Sequence, residues 1–204
     1  MNIRKVLSGI NILNNFQNWN LEIEDIVYDS RKIKKNCIFV CLVGKNIDGH
    51  KFAKDAIQKG AVAVVCEKNI NFENQIIVDN SRKSLSKISS NFFENDKNDE
   101  LTLIGITGTK GKTTSSSFVC KVLNDYGIRT CQIGTMGAIF GSERIETKNT
   151  TPESYEVHKF LRKAKNENFK ALVIEASSIG LKEFRLDNIL FYYGVFTNIS
   201  NDQS

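Results

Sequence analysis

The sequence predicts an α/β protein in which a small N-terminal α/β domain is followed by a parallel-sheet domain with a phosphate-binding loop. Along the 204 residues, short apolar runs alternate with segments of helical periodicity. Residues 95–100 contain no apolar side chain and indicate a linker between two halves. Residues 111–114, Gly-Lys-Thr-Thr, follow an apolar strand and open a helix. We therefore expect two domains, residues 1–97 and residues 98–204.

The first half alternates strands and helices. A first apolar run precedes the turn-forming sequence Asp-Ser-Arg at residues 29–31, and a second run, rich in β-branched and aromatic residues, stops at Gly44. Apolar residues between positions 52 and 61 have the spacing of an amphipathic helix, and Gly60 is placed to end that helix. The elements expected here are an apolar run at residues 23–27, strands at residues 37–43, 61–66 and 75–78, and helices at residues 52–60 and 81–93.

The second half has the strand-helix-strand order of a parallel sheet with right-handed crossovers. Ligands bind such sheets at the carboxyl ends of the strands. We therefore expect the loop at Gly108, the acid Glu175 and the polar pair Thr197 and Asn198 to lie along one edge. The expected strands are residues 101–107, 130–133, 171–176 and 192–196, and the expected helices are residues 113–126, closed by Gly127, and residues 154–166.

The loop before the first of these helices has the residue types that bind a nucleotide triphosphate. Its glycines let backbone N–H groups turn toward an anion, and the helix directs its positive end to the same place. Lys112 would reach the β- and γ-phosphates of ATP, and the Thr113 hydroxyl would bind Mg²⁺. The strict Walker pattern is not met, because Ile106 stands where that pattern has its first glycine. The candidate cofactor-binding residues are Gly108, Thr109, Lys110, Gly111, Lys112, Thr113 and Thr114.

An alternative interpretation of the loop is a glycine-rich strand-to-helix turn capped by threonines. That interpretation explains the glycines but assigns no role to Lys112. Glu175 ends an apolar strand on the same edge, and a single carboxylate beside substrate phosphates suits Mg²⁺. The alternatives for Glu175 are an acid facing water and a cap of a neighbouring helix. Lys112 and Glu175 are the candidate catalytic residues, and Thr113 and Glu175 are the candidate metal ligands.

Two further positions remain open from the residues alone. Thr151 and Pro152 precede a helix, and an N-cap followed by proline at the first helical position accounts for them fully. The guanidinium of Arg185 suits a carboxylate or a phosphate, but a surface ion pair explains Arg185 equally well. His50 and His158 belong to no catalytic pattern and are expected to be structural or exposed.

Composition excludes several classes of protein. The net charge of +5 comes from scattered lysines, without the basic stripe and stacking aromatics of a nucleic-acid-binding protein. No apolar run approaches the length of about 20 residues that spans a bilayer, so membrane insertion is not expected. The five cysteines are widely spaced, without a C-x-x-C pair, which indicates neither a zinc site nor a disulfide framework. With no signal peptide recognisable at the N-terminus, the expected location is the reducing cytoplasm.

The motifs together resemble those of the Mur ligase family, and in particular its MurE type. Residues 107–114 resemble the T-G-T-x-G-K-T-T loop of that family, and residues 149–152 resemble its N-T-T-P segment. Residues 175–181 are similar to E-x-S-S-H-G-L, and residues 196–199 are similar to F-T-N-L. In the first half, residues 29–31, 38–40 and 44–50 resemble the UDP-binding domain of the MurE type.

The resemblance implies an ATP-dependent ligase of peptidoglycan precursor synthesis. Such an enzyme adds a diamino acid to UDP-MurNAc-L-Ala-D-Glu through an acyl phosphate, with ATP and Mg²⁺. By resemblance, Ser30, Lys45, Asn46 and Ile47 would contact the uridine nucleotide. The residues that would hold the muramoyl-peptide part are Asn149, Thr150, Thr151, Ser177, Glu183 and Arg185. Which diamino acid is added is left open.

Several positions depart from the family pattern. The family usually has His at Ile179, Gln at Glu183 and a magnesium-binding His at Gln203. The carbamylated lysine of the family and its amine-selecting C-terminal domain would lie beyond Ser204. We therefore expect the second domain to be incomplete and the 204-residue chain alone to have little or no ligase activity. The alternative is a truncated module that binds nucleotide or UDP-sugar without catalysis. A P-loop GTPase or kinase would leave the muramoyl-type motifs unexplained.

Overall fold

The computed structural model describes residues 1–44, 47–95 and 101–200. The chain forms two compact units, Met1–Phe92 and Phe93–Ser204. The predicted linker falls mostly outside the described residues, as residues 96–100 are not described. Within the described ranges, no helix is both long and apolar enough to cross a membrane.

The first unit is a four-stranded, entirely parallel sheet with short helices. Its strands follow one another in the order β1-β2-β3-β4, so each strand pairs with its neighbour in sequence. The predicted strand at residues 37–43 ends earlier, at Val40. The elements are β1 (Asp25–Val27), β2 (Cys37–Val40), β3 (Ala61–Cys66), β4 (Gln75–Ile77), α1 (Ile3–Val6), α2 (Ala53–Gln58) and α3 (Ser81–Phe92), with 3-10 turns at Ser30–Lys32 and Gly49–Phe52.

Helix α2 lies where the apolar spacing predicted a helix. Ala53 and Ala56 on its inner face are buried against β2 and β3. Gly60 follows the helix with a φ of +105°, a backbone conformation that glycine adopts without steric cost. The N–H of Gly60 bonds to Ile57 O at 3.1 Å and closes the turn. Gly60 therefore ends α2 as the sequence predicts.

The second unit is a six-stranded mixed sheet. Its strand order is β10-β5-β9-β6-β7-β8, in which the first four strands are parallel and the last two are antiparallel. The predicted parallel sheet is confirmed, and the hairpin of β7 and β8 is an addition to it. The elements are β5 (Thr102–Thr107), β6 (Thr130–Gly134), β7 (Gly137–Phe140), β8 (Glu143–Ile145), β9 (Ala171–Glu175), β10 (Tyr193–Phe196), α4 (Lys112–Asp125), α5 (Ser154–Asn166) and α6 (Ser178–Lys182).

The sheet of the second unit is buried where α4 and α5 cover it. Val157, Leu161 and Ala164 of α5 are buried against one part of the core, while Val119 and Leu123 of α4 pack against another part. Since β5, β6, β9 and β10 are parallel, their carboxyl ends meet at one edge. The loops that follow β5, β9, β6 and β10 are therefore neighbours, and these loops form the candidate site.

Candidate active site

The phosphate-binding loop joins β5 to α4. Gly108 and Gly111 have φ angles of +137° and +84°, a region that favours glycine. A Cβ atom on Gly108 would lie 2.1 Å from Thr197 Oγ1 and 2.9 Å from the backbone oxygen of Asn198. Glycine is therefore required at position 108 both by its backbone conformation and by the close approach of the segment after β10.

Lys112, the first residue of α4, folds back over this loop. Its ammonium donates hydrogen bonds to the backbone oxygens of Gly108, at 2.6 Å, and Thr109, at 3.2 Å. The positive charge of Lys112 is thereby added to the positive end of a 14-residue helix. The combination favours an anion in front of the loop, and the phosphate-binding role of Lys112 stays a prediction.

Glu175 lies at the end of β9, with only 2% of its surface exposed. Its carboxylate accepts hydrogen bonds from the hydroxyls of Thr113, Ser116 and Thr135, at 2.8, 3.3 and 3.1 Å, and from the N–H of Thr135, at 3.2 Å. All four donors are neutral. A Cβ on Gly134 would come within 2.1 Å of Glu175 Oε1, so glycine at the end of β6 makes room for the carboxylate.

Oxygen ligands around one buried carboxylate suit Mg²⁺, which is commonly bound by one or two carboxylates together with phosphate oxygens and water. Glu175 and the Thr113 hydroxyl stand next to the loop where phosphates would lie. Among the described residues, no group of three or more His, Cys, Asp and Glu side chains could hold a metal by itself. A cation here would therefore take its remaining ligands from the nucleotide and from water.

Ser116 and Thr135 were not predicted from the sequence as partners of Glu175. Ser116 lies one turn into α4, where a serine is unremarkable. Thr135 lies between β6 and β7, directly after Gly134. The only signal that could have found Thr135 is its place after a strand of the same parallel sheet, since it lies 40 residues from Glu175 in sequence.

The interpretation of Thr151 as a helix N-cap is wrong. Helix α5 begins at Ser154 and its N-cap is Glu153. Thr151 is instead fully buried. Its hydroxyl lies 2.8 Å from the backbone oxygen of Glu175 and 2.9 Å from Ser177 Oγ, and it accepts the N–H of Ser177 at 2.9 Å. Thr151 thereby joins the segment before α5 to the end of β9.

Arg185 is buried, with 8% of its surface exposed, so the surface ion pair considered for it is excluded. Its guanidinium donates to the backbone oxygen of Thr151 at 2.9 Å. The Nη2 group also contacts Glu153 Oε1 at 3.0 Å and Glu183 Oε2 at 2.5 Å. Two carboxylates therefore share one guanidinium. Glu183, at a position where the family resemblance leads us to expect glutamine, shares the positive charge of Arg185 with Glu153.

The other candidate substrate residues are distributed over both units. Thr150 Oγ1 lies 3.1 Å from Thr135 Oγ1, which connects Thr150 to the Glu175 cluster. Asn149 is exposed just before Thr150, and Ile179 is 55% exposed on α6. In the first unit, Ser30 begins the turn after β1 and Ile47, 60% exposed, lies in the loop after β2. Lys45, Asn46 and Gln203 lie outside the described residues.

The 3-10 turn at Gly49–Phe52 in the first unit is held by Asp48 and His50. His50 accepts the N–H of Glu67 through Nε2 at 2.9 Å, so its Nδ1 carries the proton and donates to Asp48 Oδ1 at 2.5 Å. Lys68 contacts Asp48 Oδ2 at 2.8 Å. The contact with Lys68, followed by the hydrogen bonds from His50, holds the pKa of Asp48 well below its usual range. His50 is therefore structural, as the sequence predicts.

Comparisons with known proteins show what the chain is similar to. Residues 22–110 match the model of the Mur ligase family catalytic domain, and residues 106–203 match the model of the Mur ligase middle domain. A curated relative from Clostridium tetani, UDP-N-acetylmuramoyl-L-alanyl-D-glutamate--2,6-diaminopimelate ligase, is 41% identical over 99% of this chain and 43% of its own length.

Two solved structures share the fold. A UDP-N-acetylmuramoyl-L-alanyl-D-glutamate--2,6-diaminopimelate ligase has a TM-score of 0.83 at 25% identity, over 99% of this chain and 41% of its own. The MurF ligase from Thermotoga maritima in complex with ADP has a TM-score of 0.59 at 24% identity, over 86% and 37%. At that identity the second likeness shows the fold alone. The chain spans about two fifths of the length of the curated relatives it matches.

The parallel sheet, the loop at residues 108–111 and the acid at its edge define an α/β protein of the phosphate-loop class with an additional N-terminal α/β unit. The two adjoining family models, which together extend from residue 22 to residue 203, make the assignment more specific. The chain belongs to the Mur ligase family.

Proposed function

We propose that this chain supplies the UDP-precursor-binding and ATP-binding parts of a MurE-type ligase. The substrate would be UDP-N-acetylmuramoyl-L-alanyl-D-glutamate and the product its amide with a diamino acid. The observation that carries the proposal is the hydrogen bond between Thr113 and Glu175 beside the loop that holds Lys112. The curated relative from Clostridium tetani and the first solved structure each cover 99% of the chain, and both are named for 2,6-diaminopimelate. This diamino acid is therefore the proposed amine.

The proposed reaction has two steps. A carboxylate oxygen of the substrate first attacks the γ-phosphorus of ATP, with ADP as the leaving group. The amine nitrogen then attacks the acyl carbon, and the carbon–oxygen bond breaks as inorganic phosphate leaves. The first step is needed because a carboxylate oxygen is a poor leaving group, whereas phosphate is a good one. Catalysis then depends on holding the phosphoryl group and neutralising its charge.

Different residues in and beside the loop would hold the phosphoryl group and neutralise its charge. Lys112 and the N-terminal N–H groups of α4 would face the β- and γ-phosphates. Glu175 and Thr113 would hold Mg²⁺, which supplies positive charge to the phosphoryl oxygens when it is bound. The hydroxyls of Ser116 and Thr135 would keep the Glu175 carboxylate in place through their hydrogen bonds.

The substrate residues fall into two groups in the proposal. Ser30 and the loop at residues 45–47 would contact the uridine nucleotide. Asn149, Thr150, Ser177, Glu183 and Arg185 would surround the muramoyl-peptide part. Thr151 is fully buried, so it would act by holding Ser177 and Arg185 in position. A cytoplasmic location is part of the proposal, because the five cysteines are free and buried, as is usual in a reducing compartment.

The test is ligation by the gene product at its natural length, with the UDP-precursor, ATP, Mg²⁺ and 2,6-diaminopimelate. Mass spectrometry should detect the amide, together with one ADP and one phosphate. K112A should lower kcat by about 100- to 1000-fold, the usual cost of removing one group that stabilises a transition state. Calorimetry should show that K112A still binds the UDP-precursor, since the proposed contacts to the uridine nucleotide belong to the first half of the chain.

K121A is the matched control, because Lys121 lies on α4 but pairs with Asp125 on the exposed face. Its rate should equal that of the unmodified enzyme. Absence of amide with every diamino acid tested, while the protein is folded and binds ATP, would show that the proposed reaction is wrong. Ligation with lysine but not with 2,6-diaminopimelate would overturn the proposed amine alone.

A further inference from the structure

The segment directly after β10 makes several contacts with the phosphate-binding loop. The N–H of Thr197 donates to Thr107 O at 2.9 Å, and the N–H of Thr109 donates to Asn198 O at 3.0 Å. These two bonds continue the parallel pairing of β10 with β5 past the ends of both strands. The N–H of Ser200 adds a contact to Thr109 Oγ1 at 3.1 Å.

Asn198 uses both ends of its side-chain amide on one residue of the loop. Its Oδ1 accepts the N–H of Lys110 at 3.1 Å, and its Nδ2 donates to Lys110 O at 2.9 Å. These two backbone groups belong to consecutive peptide planes, 109–110 and 110–111. Asn198 therefore helps to set the orientation of both planes that lead into Gly111, where the backbone turns with a positive φ before α4 begins. The hydroxyl of Thr197 donates to the same Lys110 O at 2.7 Å, so Thr197 and Asn198 hold the second plane together.

The contacts of Asn198 and Lys112 determine which backbone groups near the loop remain available to bind an anion. The N–H groups of Thr109 and Lys110 are both taken by Asn198, and the carbonyls of Gly108 and Thr109 are taken by Lys112. The first N–H groups of a helix have no partner within the helix. The first N–H groups of α4 and the ammonium of Lys112 are therefore donors that remain available to a phosphate.

We infer that Asn198 is a positioning residue for the phosphate-binding loop, which it holds in the conformation that presents the N-terminus of α4 and Lys112 to the nucleotide. The expected effect on catalysis rests on the proposed function, whereas the contact between Asn198 and Lys110 does not. From the sequence, Asn198 is expected at this edge of the sheet without a role. No other residue type provides a donor and an acceptor at this side-chain length, since Asp lacks the donor and Gln is one methylene longer.

Hydrogen exchange measured by NMR tests the contact on the folded protein, without reference to activity. The N–H groups of Thr109 and Lys110 should be protected although they lie in a loop. N198A should raise the exchange rate of the Lys110 amide by about tenfold, given the usual net strength of a hydrogen bond. N198D keeps the acceptor but loses the donor, so it should retain protection of Lys110 while placing a negative charge beside Lys110 O.

Kinetics of the natural-length protein test the consequence. N198A should raise KM for ATP and lower kcat, each by about tenfold for one or two lost hydrogen bonds, while KM for the UDP-precursor stays unchanged. N198D should be the more impaired variant, because its charge opposes that of the triphosphate. N166A is the control, since Asn166 is exposed at the end of α5, and its kinetics and exchange should match the unmodified protein.

The outcomes separate the inference from the proposed function. Unchanged exchange of Lys110 in N198A, or an equal rise in both KM values, would overturn the positioning role, because a general loss of structure affects both substrates alike. Absence of ligation by the unmodified protein would overturn the proposed function, while the exchange result would still decide whether Asn198 holds the loop.

Discussion

The hydroxyl of Thr113 donates a 2.8 Å hydrogen bond to Glu175 Oε2, although the two residues are 62 positions apart in sequence. Thr113 lies in the first turn of α4 and Glu175 is the last residue of β9. The bond forms because β5 and β9 are parallel neighbours, with Ile106 opposite Glu175. The loop that follows β5 therefore begins its helix directly beside the carboxylate.

This contact predicts the effect of replacing Glu175 with Gln. The substitution removes the negative charge but keeps the shape, so the fold should be retained. Binding of Mg²⁺ with ATP should weaken, and kcat/KM for ligation should fall by about 100-fold or more, in line with the loss of one charged group from a phosphoryl-transfer site. The measurement is the ligation rate as a function of Mg²⁺ concentration.

The control for that experiment is E143Q, which removes a carboxylate of β8 that pairs with Lys163. Its dependence on Mg²⁺ should be unchanged. A Mg²⁺ dependence of E175Q that matches the unmodified enzyme would rule out the metal role of Glu175.

The buried hydroxyl of Thr151 predicts a loss of stability in T151V. Valine has the same shape but cannot accept the N–H of Ser177 or bond to the backbone of Glu175. An unsatisfied buried polar group costs about 1–3 kcal/mol of folding free energy, and urea unfolding should show a loss of this size. T147V removes a hydroxyl bonded in an exposed position and should change stability by less than about 0.5 kcal/mol. Equal losses in the two variants would contradict the structural role of Thr151.

The sharing of Arg185 by two carboxylates predicts that E183Q binds the UDP-precursor more tightly. Glu183 and Glu153 both contact Nη2, so an anionic substrate group approaching Arg185 competes with them. Removing one of these charges should lower the dissociation constant severalfold in calorimetry, with a smaller effect at high salt because the competition is electrostatic. Weaker binding by E183Q would show that the Glu183 carboxylate stabilises the bound substrate and does not compete with it for Arg185.

The contacts of Asp48 with Lys68 and His50 predict a pH-dependent contribution of Asp48 to the stability of the fold. The pKa of Asp48 is lowered in the folded state by Lys68 and then by His50, whereas in the unfolded chain it is about 3.9. A group with a lowered folded pKa stabilises the protein above its unfolded pKa and loses that contribution as the pH falls through the folded value. D48N should therefore be less stable than the unmodified protein at pH 7, and the difference should shrink below about pH 4.

Urea unfolding at pH 7 and pH 3 measures this difference. D55N is the control, because Asp55 forms an exposed ion pair with Lys59 along α2, and such pairs contribute little at any pH. A difference between D48N and the unmodified protein that is equally large at pH 3 would show that hydrogen bonds other than those of the ionised carboxylate are responsible.

Periodicity and glycine placement were sufficient for most of the elements. The strands β3, β5 and β9 contain uninterrupted runs of four to six residues without a polar side chain, and the burial of these runs follows from composition alone. The hairpin of β7 and β8 was missed because its strands have only four and three residues, too few to show a period. Helix α6, with five residues, was missed for the same reason.

The loop glycines, Lys112 and Glu175 could be proposed as site residues from the chain alone, because each has a chemical requirement that few residue types meet. The partners of those residues were not recognisable. Thr135, Ser116 and the true role of Thr151 depend on the order β5-β9-β6 of the sheet, which brings strand ends together from distant parts of the chain. Asn198 reaches Lys110 across 88 positions for the same reason. Local propensity acts over a few residues, whereas strand pairing sets contacts over any separation, so only the folded sheet decides which polar groups meet.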